Sequence, residues 1–207
     1  MSTSLQKCGS QFFSMMRKIC PVRRSAWLLI ATIGLPLATQ SAEVMNSSII
    51  QRQGRYMMHS EAVIHAPVSK IRALLMDYEN FPLVNPDIKR VEPVGHLDHG
   101  GIRMVVSSDF CILAVCLRFD WIQDVRLLPD GDIAMTIVPN RGDFRQGNGR
   151  WHLLSNGAST RLIFDFDLTP KYWLPPVFGP WLMKRKLSEE AFEMAQGLER
   201  MAISKCC

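Results

Sequence analysis

The sequence predicts an α+β domain in which an antiparallel sheet with one apolar face is covered by a long C-terminal helix. Three observations predict it. Leu117, Phe119, Trp121 and Val125 alternate with Arg118, Asp120, Asp124 and Arg126, and Leu162, Phe164, Phe166 and Leu168 alternate with Arg161, Asp165 and Asp167. Each segment therefore shows one greasy and one charged face, as half-solvated antiparallel strands do. Near the C-terminus, Leu187, Ala191, Met194, Leu198 and Met201 recur at helical spacing, which marks one buried helix stripe. That stripe needs an apolar partner, and the sheet face is the only large one on offer.

The elements follow in order. Residues 1–42 carry Lys7, Arg17, Lys18, Arg23 and Arg24, no acidic residue, the apolar run AWLLIATIGLPLA and a small-residue end at TQSA, the outline of a cleaved signal peptide. The apolar run is about 13 residues where a bilayer span takes roughly 20. The stretch ahead of Ala26 is long for a leader, which makes Met15 or Met16 an alternative start. Residues 43–55 are mixed and polar and read as a lead-in segment. From Tyr56, Met58, Ser60, Ala62 and Ile64 share one face of a strand, with His59, Glu61 and His65 on the other.

Pro67 then suits the start of a helix whose stripe is Val68, Ile71, Leu74 and Leu75. Pro82 and Pro86 bar its continuation and bias Phe81 and Asn85 toward extended backbone, leaving an irregular aromatic corner. Strands follow, punctuated by HLDHGG, PDGD and SNGAS. The long helix closes the domain at residue 203, and 204–207 form a tail whose Cys206 and Cys207 carry no readable role.

Charge excludes one class of partner. The chain has 24 Lys and Arg against 19 Asp and Glu. Removing the five basic residues of 1–42 leaves 19 against 19, so the domain lacks the concentrated basic face that nucleic-acid binding needs. Export would place the remaining cysteines in an oxidising, periplasmic or secreted setting. On one continuous strand Cys111 and Cys116 would lie about 16 Å apart, too far to bond. If Ile112 to Val115 turn a hairpin, the two face each other and can pair. ILAV is poor turn composition, yet the hairpin and a structural disulfide are the expectation.

Catalytic signals are thin, and no catalytic, metal or cofactor site is expected. Asp165 and Asp167 share a face, but it is the charged one. His96 and His99 sit in a glycine-rich turn without a third ligand, and His152, opposite Trp151, reads as a satisfied structural histidine. The segment WLPPVFGPWLMKRKL sets Trp173, Phe178 and Trp181 in a proline-stiffened loop beside Lys184, Arg185 and Lys186. Trp181 and Lys184 are the candidate contact with a membrane surface.

The order of strand, short helix, D-Y-x-x-F-P-x-x-x-P corner, antiparallel strands and long terminal helix resembles the START-like, or helix-grip (SRPBCC), superfamily. The nearest likeness is its polyketide cyclase and coenzyme Q-binding branch. The segment AVIHAPVSKIRALLMDYENFPLVNPDIKRVE and the stripe from Leu187 to Met201 carry the likeness, which spans residues 56–203. Leu83 and Val84 depart from it, standing where an aromatic is often found. The resemblance implies a curved sheet wrapped around the helix, short helices after the first strand, and a cavity for an apolar ligand. Tyr78 and Phe81 would then sit at its rim, with Trp121, Phe164, Phe166, Leu187, Ala191, Met194 and Leu198 along its walls. The expected function is binding a quinone, a fatty acid or lipid, or a polyketide-like compound. The alternatives are a cyclase or aromatase using the same cavity, and an interaction module with a filled core.

Overall fold

The computed structural model describes residues 42–98, 100–112, 115–172 and 179–204. The expected leader, Ala42 apart, lies outside the described residues, as do His99, Trp173, Phe178, Cys206 and Cys207. Eight strands, β1 (Glu43–Arg52), β2 (Arg55–Ile64), β3 (Ile88–His96), β4 (Ile102–Ile112), β5 (Val115–Leu127), β6 (Ile133–Gly142), β7 (Phe144–Asn156) and β8 (Ser159–Pro170), form one antiparallel sheet. Its order is β1-β2-β8-β7-β6-β5-β4-β3. The crossover from β2 to the far edge carries two short helices, α1 (Val68–Leu75) and α2 (Phe81–Val84), and the chain ends in α3 (Gly179–Ile203). This is the helix-grip arrangement that the resemblance implies.

The expected lead-in is instead a strand. β1 pairs with β2 along its whole length, from Glu43 opposite Val63 to Arg52 opposite Arg55. It escapes sequence reading because it is an edge strand with mostly exposed residues on both faces, so burial imposes no period-two pattern on it. The aromatic corner also differs. Phe81 opens α2 with Pro82 in its first turn, where a missing N–H leaves no intrahelical bond unmade. Only Asn85, ahead of Pro86, is extended, at φ −127° and ψ 108°. α3 starts earlier than expected, so Trp181 stands on its first turn and not on a loop.

The hairpin reading of FCILAVC matches the register. Cys111 faces Cys116 across β4 and β5 with Cα atoms 4.0 Å apart, and a disulfide joins them. Closing so short a loop stabilises the fold by only about 2 kcal/mol in the chain-entropy account.

Bulges bend the sheet, at Val44/Asn46, Ile88/Arg90, Pro93/Gly95, Trp121/Gln123 and Phe144/Gln146. At the Trp121/Gln123 bulge, between β5 and β6, Gly142 adopts φ 103°, and a Cβ there would lie 2.6 Å from Trp121 Cα. Glycine is what lets β6 come that close to β5. α3 lies on the concave side, close to β1 and β2 near one edge and to β4 near the other. The middle strands β8, β7, β6 and β5 arch away from it. Glu199, 3% exposed on α3, ties the helix to the end of β2 by accepting from the His65 backbone N–H at 2.9 Å, with the His65 Nδ1 at 2.7 Å. At the opposite face of α3, Gly197 meets the Val84 backbone of α2, where any Cβ would lie 2.7 Å from the carbonyl carbon.

Charges on the convex face are paired across strands. Arg103 binds Asp124 at 2.7 Å, Arg118 binds Asp109 at 2.8 Å and Arg161 binds Glu61 at 2.5 Å. Such exposed pairs contribute little stability, but they account for the polar half of each alternating strand.

Candidate functional site

Because the sheet arches where α3 does not follow, a cavity remains between them. Its volume is about 160 Å³, counted as the space the centre of a water molecule can occupy. At roughly 10–15 Å³ of that measure per water and about 30 Å³ of liquid volume each, it would hold on the order of ten waters, or about 300 Å³ of guest. That reaches the lower end of small-molecule pockets.

The walls are mostly apolar. β7 and β8 supply a stacked row in which the Trp151 and Phe164 rings lie 3.7 Å apart and Phe166 follows at 5.5 Å. β5 adds Trp121 and Val125, β6 adds Ile133 and Met135, and α3 adds Leu187, Ala191 and Met194 from above. Tyr78 and Phe81, from the corner between α1 and α2, line it as well. Burial pushes the Tyr78 phenol above its ordinary pKa, so it stays neutral.

Of the residues the sequence singles out as cavity lining, Tyr78, Phe81, Trp121, Phe164, Phe166, Leu187, Ala191 and Met194 stand around this space. Leu198 does not. It is 0% exposed and belongs to the solid core with Ile71, Leu75 and Val84, because α3 has reached α1 and α2 by that turn. The other candidates lie outside the site. Asp165 pairs with His59 at 2.7 Å, Asp167 with Arg55 at 2.8 Å and His152 with Asp132 at 2.6 Å.

Sequence reasoning missed the polar part of the lining, which comprises Asn85, Ser108, Gln123 and Glu190. Gln123 shares a face of β5 with Trp121 and accepts its indole N–H at 2.9 Å. The remaining three form one cluster with Asp87 and Lys186, where the loop after α2 meets β4 and α3. Asn85 donates its amide to Glu190 Oε2 and accepts from the Asp87 backbone N–H at 2.9 Å. Ser108 donates to the Asp87 carbonyl at 3.0 Å. Lys186, 4% exposed, donates to Asp87 and stands 3.0 Å from Glu190 Oε1.

This packing moves the pKa values apart. Burial, and a hydrogen bond with the Asp87 carboxyl, push Glu190 up to about 7 against the opposing pull of Asn85 and Lys186. Burial acts the same way on Asp87, yet Lys186 and the bond with Glu190 hold it below its ordinary value. For Lys186, burial favours the neutral amine, but the two carboxylates outweigh it and keep the ammonium to about 12. Asp87, Glu190 and Glu193 bring carboxylate oxygens within 4.8 Å of one another. Lys186 already supplies the positive charge that such a group demands.

One signal could have revealed Glu190. It falls three residues after Leu187 and four before Met194, so helical spacing carries it onto the buried stripe. Its neighbours in SEEAFE made the segment read as a solvated face.

The comparisons agree with this geometry. A family model described as polyketide cyclase / dehydrase and lipid transport matches residues 64–190. No curated protein matches the chain by sequence. Among solved structures, a START superfamily protein from Mycobacterium smegmatis is similar at 22% identity and a TM-score of 0.58, covering 70% of this chain and 96% of its own. The Zhui aromatase/cyclase from Streptomyces sp. R1128 is similar at 14% identity and a TM-score of 0.58, covering 72% and 93%. A STAR-related lipid transfer protein from Xanthomonas axonopodis is similar at 14% identity and a TM-score of 0.56, covering 75% and 98%. Since more than half of the chain answers to that family model, and the helix-grip fold and hollow accompany it, the protein belongs to the polyketide cyclase/dehydrase and lipid transport family.

Proposed function

We propose that this domain binds, and carries or presents, a small hydrophobic molecule such as a quinone, a fatty acid or lipid, or a polyketide-like compound. The observation that carries the reading is the aromatic-walled cavity between the sheet and α3. Export to a periplasmic or secreted setting belongs to the same reading. The leader-like residues 1–42 and the Cys111–Cys116 pair support it. Contact with a membrane surface through Trp181 and Lys184 would give a ligand its route in. Trp181 is 58% exposed on the first turn of α3, beside exposed Lys184 and Arg185. Among the described residues no helix is long and apolar enough to cross a membrane. A second reading, a cyclase-type enzyme, is favoured by one observation, the carboxyl of Glu190 in the cavity wall.

Apolar burial alone would make a modest binder. Enclosing about 300 Å² of hydrocarbon gains roughly 7 kcal/mol gross, and association removes several kcal/mol of it. Titration with a fluorescent anilinonaphthalene probe tests the site, comparing the wild type with Ala191→Trp, which fills the cavity from α3. The wild type should bind saturably and the variant about 10-fold more weakly, with an unchanged circular dichroism spectrum. Equal binding by both would remove the cavity as the ligand site. Native mass spectrometry of protein taken from its own compartment would then identify the guest.

A further inference from the structure

The equal totals of acidic and basic residues after residue 42 conceal an uneven placing of charge. On the convex face Arg55, Arg103, Arg118, Arg150 and Arg161 each hold a carboxylate. At the end of the sheet where α3 begins, exposed Arg52, Arg141, Arg145, Lys171 and Lys184 pair with no carboxylate among the described residues. Two of these five line an open groove of about 460 Å³. Gln51 and Gln53 of the β1–β2 hairpin, Arg145 at the start of β7, Lys171 just past β8 and Pro180 at the start of α3 meet around it, and no acidic residue stands in its walls. Arg52 lies between the two glutamines, and Arg141 follows Asn140, whose carbonyl accepts from the Lys171 ammonium at 2.7 Å. Asp143, on the turn between β6 and β7, is engaged by the Asp120 backbone N–H at 2.7 Å. Cations gathered without counter-charges repel one another, and an anion set against them is attracted by all of them at once.

We infer that this end of the domain docks on an anionic membrane surface, with the groove between Arg145 and Lys171 taking the phosphate head of a phospholipid. The inference rests on the membrane contact proposed above for Trp181 and Lys184, and gives that contact its lipid chemistry. Trp181, 58% exposed, follows Pro180 of the groove wall. An indole that suits the boundary of the hydrocarbon therefore stands beside cations that suit the phosphates above it. A dissolved phosphate would engage the cations and leave the indole in water, whereas a bilayer surface satisfies both. Leu187 of the cavity wall follows Pro180 by two turns of α3, about 10 Å along the helix. Docking in this orientation brings the bilayer close to the hollow that a lipid would enter.

Flotation with vesicles of phosphatidylcholine alone, and of phosphatidylcholine carrying phosphatidylglycerol, tests this on the wild type and an Arg145→Gln, Lys171→Gln variant. The wild type should float with the anionic vesicles far better than with the neutral ones, and raising the salt to about 0.5 M should release it. The double variant should bind the anionic vesicles about 30-fold more weakly, at about 5-fold per charge lost, while binding the anilinonaphthalene probe as the wild type does. An Arg52→Gln, Arg141→Gln variant, which leaves the groove walls intact, should weaken flotation by a comparable factor. Equal flotation of the wild type on both vesicles, or variants that bind as well as the wild type, would overturn the inference and leave the Trp181 contact standing. Release of the wild type by millimolar glycerol phosphate or by duplex DNA would assign the groove to another anion and overturn it as well. Failure of the wild type to float with either vesicle would overturn the inference and the membrane contact together.

Discussion

At Glu190, a carboxyl that composition assigns to a solvated helix is carried by helical spacing onto a buried stripe, and the consequence is measurable. Its pKa in the fold is about 7, against 4.5 for the free side chain. The folded state therefore holds the proton more tightly than the unfolded chain does. The stabilisation from this proton is complete below pH 4.5 and is lost as pH rises through about 7, a change of about 3 kcal/mol at 1.36 kcal/mol per pKa unit. Asp87, whose pKa is lowered, acts in the opposite sense and only at more acid pH, as the pH falls below its ordinary value. Glu190→Gln should thus match the wild type near pH 5 and exceed it in urea-unfolding free energy by pH 8. A difference between the two that does not change with pH would contradict a titrating Glu190.

At the scale of elements, α2 packs against α3 most tightly at Gly197. No side chain fits there, since even a methyl group would press on the Val84 carbonyl. Alanine is the better helix former by about 1 kcal/mol, yet Gly197→Ala should destabilise the protein by about 2 kcal/mol net, because two backbones must part. Urea unfolding measures this directly. A variant as stable as the wild type would mean that α2 yields without cost. Elements whose faces differ in polarity were legible in the sequence. The inward residues of β2, β5 and β8 and the stripe of α3 were placed by alternation and by helical spacing. β1 was not legible, because an exposed edge strand has no buried face to mark. α2 was hidden by Pro82, which reads as a stop inside a helix and as a beginning at its first turn.

For the whole molecule, function depends on how a guest reaches a space that the sheet and α3 enclose. If Trp181 and Lys184 touch a membrane surface, liposome flotation with anionic vesicles should recover the wild type and lose most of a Trp181→Ala, Lys184→Ala variant. Equal recovery would eliminate that route. The pairing of Cys111 with Cys116 belongs to the same scale. It closes a short loop and adds little to global stability, so its use is to hold the β4–β5 hairpin in register at one end of the arch.

The sequence by itself determined the fold class, the apolar face of the sheet, the stripe of α3 and eight of the residues that meet around the hollow. The apolar faces and the stripe follow from local periodicity, which burial imposes on any amphipathic element, whereas Tyr78 and Phe81 were placed at the rim by the family resemblance alone. Tertiary structure alone decided that Leu198 is solid core, that Lys186 is interior, and that the polar groups gather at one end. Those outcomes depend on the distance between α3 and an arched sheet, which bulges and crossings such as Gly142 and Gly197 establish between residues far apart in the chain, and no window of neighbouring residues carries that distance.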